Sequence, residues 1–155
     1  MFDINDEYFM NKALAEAQIA GEAGEVPIGA VVVCDGVIIG KGHNQTEQLS
    51  DVTAHAEMLA ISAAAVAMGG KYLDGCTLYV TVEPCPMCAG AIGWSRIGRV
   101  VIGAPDEKRG YSTILMPGKS PFHPKTKIVE GVLVDRCRSL MKDFFSKKRI
   151  KKYPI

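Results

Sequence analysis

The sequence predicts an α/β protein: a mixed, mostly parallel five-stranded sheet with helices on both faces. Three observations carry this. Short runs rich in β-branched residues alternate with stripes of helical period. The first two runs are separated only by Asp35-Gly36, a strong hairpin signal, because glycine tolerates the positive φ of a type I′ turn. The later runs each follow a helical segment or a long loop, the order that parallel sheets covered by helices produce.

The elements follow in order. From Asp6 to about Ala23, apolar residues recur at Phe9, Ala13, Ala17 and Ala20, with Met10 and Leu14 beside them, which is a helical stripe. Ile28 to Cys34 is a valine-rich strand, and Val37 to Gly42 is its hairpin partner. Thr53 is placed to cap a helix through Met68, stopped by Gly69-Gly70. Cys76 to Val82 is a strand, Pro86 begins a short helix ending near Gly93 or Trp94, and Arg99 to Ala104 is another strand. Residues 105–127 hold four prolines and two glycines, so irregular structure is expected there. Lys127 to Val132 is the last strand. Val134, Cys137, Leu140, Met141, Phe144 and Phe145 mark the apolar side of a final helix.

The 155 residues read as one domain, 1–155, without repeats or linkers. The opening Met1-to-Phe9 segment is acidic and has no signal-peptide pattern, and no apolar run approaches the ~20 residues that span a bilayer. Five cysteines, an odd number, fit a reducing compartment and a cytoplasmic protein. Cys34, Cys76 and Cys137 fall in strand or helix patterns and read as apolar packing.

Net charge is only +1, but the distribution is uneven. Residues 1–60 carry two basic and ten acidic groups, and the rest of the chain carries sixteen basic and seven acidic groups. Such asymmetry fits a polyanionic partner. Two oppositely charged segments that interleave in space would also produce it.

Two segments carry chemistry. Cys85 and Cys88 stand three apart around Pro86, a residue suited to the first helical position, which makes Cys85 the N-cap. A helix N-terminus is electropositive and favours thiolate. Two thiolates so placed call for a soft cation, and zinc fits. His55 supplies a neutral imidazole as third ligand, which leaves one open position, the mark of a catalytic zinc site. Water in that position ionises at about pH 7. Glu57, two residues from His55, would face nearly the opposite way on an ideal helix, so the pair works only at a helix start. There it would serve as the proton shuttle and not as a ligand. Taken alone, Cys-x-x-Cys is also a redox pair or half of a structural zinc site, and His-Ala-Glu is weak.

At these residues the chain resembles the cytidine deaminase-like superfamily of zinc deaminases, whose His-x-Glu…Pro-Cys-x-x-Cys pattern it carries. The resemblance spans nearly the whole chain and is closest to bacterial tRNA adenosine deaminases. It rests on Glu25 through Ala30, Gly42-His43-Asn44, Thr53 through Glu57, Leu78 through Thr81 and Glu83-Pro84-Cys85. It continues in Met87 through Ala91, Ser95-Arg96-Ile97 and Asp143-Phe144-Phe145.

The resemblance implies a three-layer α/β/α sandwich, a homodimer, and one Zn2+ per subunit held by His55, Cys85 and Cys88. It implies that Glu57 shuttles protons, that Asn44 hydrogen-bonds the base, and that backbone around Val26, Pro27 and Ala56 lines the pocket. The substrate it implies is the wobble adenosine of a tRNA anticodon stem-loop, converted to inosine. Asn44 at a strand end is also an ordinary turn residue.

Other features bear on the substrate. Val52 stands where these enzymes commonly have proline, and Pro86 and Trp94 resemble the free-base guanine deaminases of the superfamily. Trp94 is read here as packing, with stacking on a base as the alternative. Lys147, Lys148, Arg149, Lys151 and Lys152 follow Phe144 and Phe145 closely. Aromatic and basic groups together grip unpaired RNA, so Phe144, Phe145, Lys148 and Arg149 are expected RNA contacts; a solvated helix end is the plainer reading. Three functions stay open: tRNA adenosine deamination, deamination of a free base or nucleoside such as guanine, and a non-catalytic zinc-stabilised RNA-binding module.

Overall fold

The computed structural model describes residues 4–152, with side chains described for 5–149. The elements are α1 (Ile4–Glu22), β1 (Gly29–Cys34), β2 (Val37–His43), α2 (Ala56–Met68), β3 (Cys76–Val82), α3 (Pro86–Ser95), β4 (Arg99–Ala104), a single 3-10 turn (Tyr111–Thr113), β5 (Lys127–Glu130) and α4 (Val134–Lys152). The strands form one sheet in the order β2-β1-β3-β4-β5. β1 is antiparallel to both β2 and β3, whereas β3–β4 and β4–β5 are parallel. Four strands therefore point one way and β1 alone is reversed. The hairpin's first strand lies inside the sheet, between β2 and β3. Asp35 and Gly36 have φ of 50° and 76°, the two positive values a type I′ turn needs.

β-strand alternation divides the core in two. Val32, Leu78, Val80, Val100 and Ile102 face α2 and α3. Val31, Val33, Tyr79 and Val101 face Phe9, Met10 and Ala13 of α1 and Cys137 of α4. The result is three layers, α/β/α, as expected. Cys76 and Cys137 are buried and Cys34 is half-buried, in line with a packing role.

Two contacts place the site. α2 lies unusually close to β2 because Ala56, Ala60 and Ala64 meet Gly42 and Gly40. A Cβ on Gly42 would fall 2.2 Å from Ala56 O, and one on Gly40 would fall 2.4 Å from Ala60 O. The backbone NH of Gly29, at the start of β1, donates to Thr81 Oγ1 near the end of β3 at 3.2 Å. The start of β1, the ends of β2 and β3, and the start of α2 therefore gather at one end of the sheet.

Several boundaries differ from expectation by one to three residues, and three have a visible reason. α2 starts at Ala56, with His55 as N-cap, because Asp51 Oδ1 accepts from both Thr53 N (2.8 Å) and Thr53 Oγ1 (2.7 Å) and holds Thr53 in a turn. β5 ends at Glu130, because Gly131 and Leu133 take φ of 83° and 52°. α3 runs through Ser95, and Arg96 caps it in the left-handed region.

Candidate metal centre and substrate pocket

Two helix N-termini converge on the site. Cys85 is the extended N-cap of α3, Pro86 its first residue, and Cys88 sits within its first turn. His55 is the extended N-cap of α2, with φ −77° and ψ 155°. This explains the two-residue spacing to Glu57: His55 is outside the helix and Glu57 inside it. The His55 side chain makes no capping bond to α2, and the Cys85 sulfur meets Cys88 of α3. Both are turned into one cluster.

His55 Nδ1 lies 3.6 Å from Cys85 Sγ and 3.5 Å from Cys88 Sγ. The three ligand atoms fall within 4.8 Å of one another, and they are the one such metal-competent group among the described residues. Zn–S near 2.3 Å and Zn–N near 2.0–2.1 Å in a tetrahedron require S···N of about 3.6 Å. The donor set and spacing therefore fit zinc with its fourth position open.

The electrostatics agree. The Cys88 thiol, ahead of His55, donates toward Cys85 and draws it down to about 4. Cys88 is pushed far up, chiefly because it keeps its proton to donate a hydrogen bond to Cys85 and then by burial. His55 is raised, first by its bond with Cys85. Left to themselves the three groups share protons around one thiolate, the negative charge that a cation satisfies. Glu57 is only 3% exposed, and burial pushes its carboxyl up to about 7, with the Cys85 charge adding to the rise.

Asn44 is 7% exposed, and its Oδ1 accepts from the backbone NH of Ala56 at 3.0 Å. It therefore satisfies a donor of α2 that the N-cap His55 leaves open. Val26 is half-buried and Pro27 and Ala56 are buried, all at the same end of the sheet.

Trp94 does not pack. It is 85% exposed on α3, because it points away from the sheet that Ala89 and Ile92 face. Phe144 and Phe145 stack edge to face at 5.3 Å, and Lys148 Nζ stands 5.9 Å from the Phe144 ring. Lys147, Lys148 and Arg149 are exposed, whereas the side chains of Lys151 and Lys152 lie outside the described residues.

Sequence reasoning missed Glu83. Its Oε2 accepts from Ser112 N (3.1 Å) and Ser112 Oγ (2.8 Å), and its Oε1 from Asp106 N at 3.4 Å. Tyr111 N donates to Pro84 O at 2.9 Å. The strand end that delivers Cys85 thus anchors the loop after β4. A Cβ on Gly110 would overlap the Glu83 carboxylate and crowd the backbone Asp106 O at 2.6 Å, so a side chain there would push Glu83 out of its place. Glu83 beside the Pro-Cys pair was the available signal.

Comparison with known proteins gives the class. Residues 3–104 match the family described as the cytidine and deoxycytidylate deaminase zinc-binding region, and the chain belongs to this family of zinc-dependent deaminases. It is 48% identical to the tRNA-specific adenosine deaminase of Bacillus subtilis, over 95% of this chain and 92% of that one. A structure solved in a study of A-to-I editing by tRNA:A34 deaminases at the wobble position superposes with a TM-score of 0.79. It is 43% identical, over 86% of this chain and 98% of the other. Guanine deaminase from Nitrosomonas europaea shares the fold at a TM-score of 0.77 and 26% identity, over 90% of this chain and 84% of that one.

Proposed function

We propose that this chain hydrolyses the wobble adenosine of a tRNA anticodon to inosine and ammonia. The observation that carries the reading is the joint one: a zinc-competent His55–Cys85–Cys88 cluster beside a buried Glu57, in a chain 48% identical to a tRNA-specific adenosine deaminase along nearly its full length.

Zinc, when bound, supplies acidity, so that water beside it ionises near pH 7. Glu57 takes a proton from the water that attacks C6 and delivers it to the ring nitrogen N1; it then takes the remaining proton from the hydroxyl now on C6 and passes it to the amine, which leaves as ammonia as the C6 carbonyl forms. Asn44 keeps its Oδ1 on Ala56 N, which orients the amide and leaves its NH2 as a donor to a purine ring nitrogen. Val26, Pro27 and Ala56 form the wall behind the base.

The position of α4 supports RNA contact. Its Arg136 donates to Asn11 Oδ1 of α1. From there a cleft of about 480 Å³ runs between Leu14, Ala15 and Gln18 on one helix and Ser139, Leu140 and Asp143 on the other. α1 ends at the loop that carries Val26 and Pro27. Phe144, Phe145, Lys148 and Arg149 follow on α4, and in this reading they meet the anticodon loop.

The working unit in this reading is one deaminase domain over residues 1–155, paired as a homodimer in the cytoplasm. Val66 and Met68 on α2 and Met87 and Trp94 on α3 are exposed on the same layer, a surface suited to a second copy. Among the described residues no helix is long and apolar enough to cross a membrane.

Guanine is the second reading, favoured by Pro86, Trp94 and the fold shared with a guanine deaminase. Incubation with an anticodon stem-loop bearing the wobble adenosine, and separately with guanine, tests both. Inosine in the RNA supports the proposal; ammonia from guanine with no inosine refutes it. Removal of residues 147–155 should weaken RNA binding and flatten its salt dependence, by about 0.7 in log–log slope for each phosphate no longer neutralised. It should leave guanine turnover intact if guanine is the substrate.

A further inference from the structure

Glu25 is a buried acid that the chemistry leaves unused. It is 2% exposed, and the ion pairs among the described residues do not include it. A buried carboxylate without a cation is costly unless hydrogen bonds replace the lost water. Here they come from one loop. Oε1 accepts from Glu47 N at 3.1 Å and from Thr46 Oγ1 at 3.4 Å, and Oε2 accepts from Gln48 N at 2.8 Å.

That loop, residues 45–54, is a closed unit. Gln45 N donates to Ala54 O at 3.0 Å across its neck, and Leu49 N to Gln45 O and Asp51 N to Thr46 O brace its interior. At the two ends of the neck stand Asn44 and His55, which is followed by Ala56 and Glu57. Val26 and Pro27 follow Glu25 directly. One carboxylate thus ties the segment bearing Val26 and Pro27 to the loop whose ends bear Asn44 and His55. The short carboxylate-to-backbone bonds leave little play between them.

We infer that Glu25 is a positioning residue that sets the base-holding wall of the pocket against the metal ligands. The inference rests on the proposed roles of Asn44, Val26 and Pro27. Glu25 touches neither the metal ligands nor the reacting atoms, so its loss should loosen the grip on the base without removing zinc or the proton shuttle. Such a change raises KM while kcat holds, because the weakened interaction is common to ground and transition states.

The test is Glu25→Gln, which keeps the size but replaces one carboxylate oxygen by an NH2 donor, so that the amide of residue 47 or that of residue 48 loses its acceptor and meets a donor. It is measured on whichever substrate the wild-type protein turns over, stem-loop or guanine, so failure of the proposed function shows in the wild type and failure of this inference only in the variant. Expected is a KM about tenfold higher, kcat within about threefold, and one zinc per subunit. An unchanged KM in zinc-loaded protein overturns the inference. So does a parallel fall of kcat and zinc content, which would make Glu25 a residue of the fold alone. Should Glu25→Gln not accumulate, Glu25→Asp, which keeps the charge but withdraws it by one methylene, is read by the same outcomes.

Discussion

Gly42→Ala should damage catalysis out of proportion to stability. Gly42 faces the first turn of α2, where a Cβ would meet Ala56 O at 2.2 Å, Ala60 N at 2.7 Å and Leu59 Cβ at 3.1 Å. The first two are backbone atoms and cannot rotate away. Restoring ordinary carbon–oxygen contact requires the start of α2 to move off β2 by about 1 Å. Overpacking of this kind costs about 1–3 kcal/mol, and a domain of this size loses about 2–4 °C of Tm for each.

The start of α2 carries His55 and Glu57, while Cys85 and Cys88 ride on α3. Misplacement by about 1 Å lowers turnover on the order of 10²-fold. Gly40→Ala is the control. Its Cβ meets Ala60 O at 2.4 Å and Ala64 N at 2.7 Å, a similar clash one turn further from the ligands. Thermal melting, zinc content and kcat/KM of the two variants decide the matter. Similar Tm losses with a much larger activity loss for Gly42→Ala support the geometry. Equal activity losses, or full activity in Gly42→Ala, refute it.

Other perturbations follow from the same structure. Glu57→Gln should lower kcat by about 10²–10⁴-fold while zinc analysis still finds one ion per subunit, because Glu57 moves protons and is not a ligand. Arg99→Ala withdraws the guanidinium whose Nη1 and Nη2 bond the Asp6 carboxylate at 2.6 Å each; Asp6 is 1% exposed, so chemical denaturation should show a loss of about 3 kcal/mol. At Glu25, burial acts upward, but the NH groups of Gln48 and Glu47 and the Thr46 hydroxyl outweigh it and hold the carboxyl below its ordinary 4.5. A folded value below the unfolded one gives stability that is present above about pH 4.5 and lost as pH falls through the folded value. The acid limb of a stability–pH curve should therefore be flatter in Glu25→Gln, and an unchanged limb would contradict this.

The order of elements was readable because β-branched runs, the Asp35-Gly36 turn and the helix stops are local signals. The zinc ligands were readable for a similar reason: Pro86 makes Cys85 an N-cap, and three residues bring Cys88 to its side. Where local rules misled, a longer contact had won. Thr53 looked like the cap of α2, but Asp51 holds it in a turn and Asn44, from β2's end, satisfies Ala56 N. Trp94 looked like core, but the side of α3 it occupies faces away from the sheet, and helical period alone does not say which apolar side is inward.

By itself, then, the sequence determined which groups are available for chemistry: one imidazole, two thiols and one carboxylate, each at a helix start where the backbone favours negative charge. Only the tertiary structure decided that they meet. The two helix starts belong to segments thirty residues apart, and β1, inserted antiparallel between β2 and β3, brings their ends together. Glu25 and Glu83 belong wholly to that second level. Their partners lie more than twenty residues away and are mostly backbone amides, which every residue type possesses, so no pattern of side chains says what either carboxylate binds.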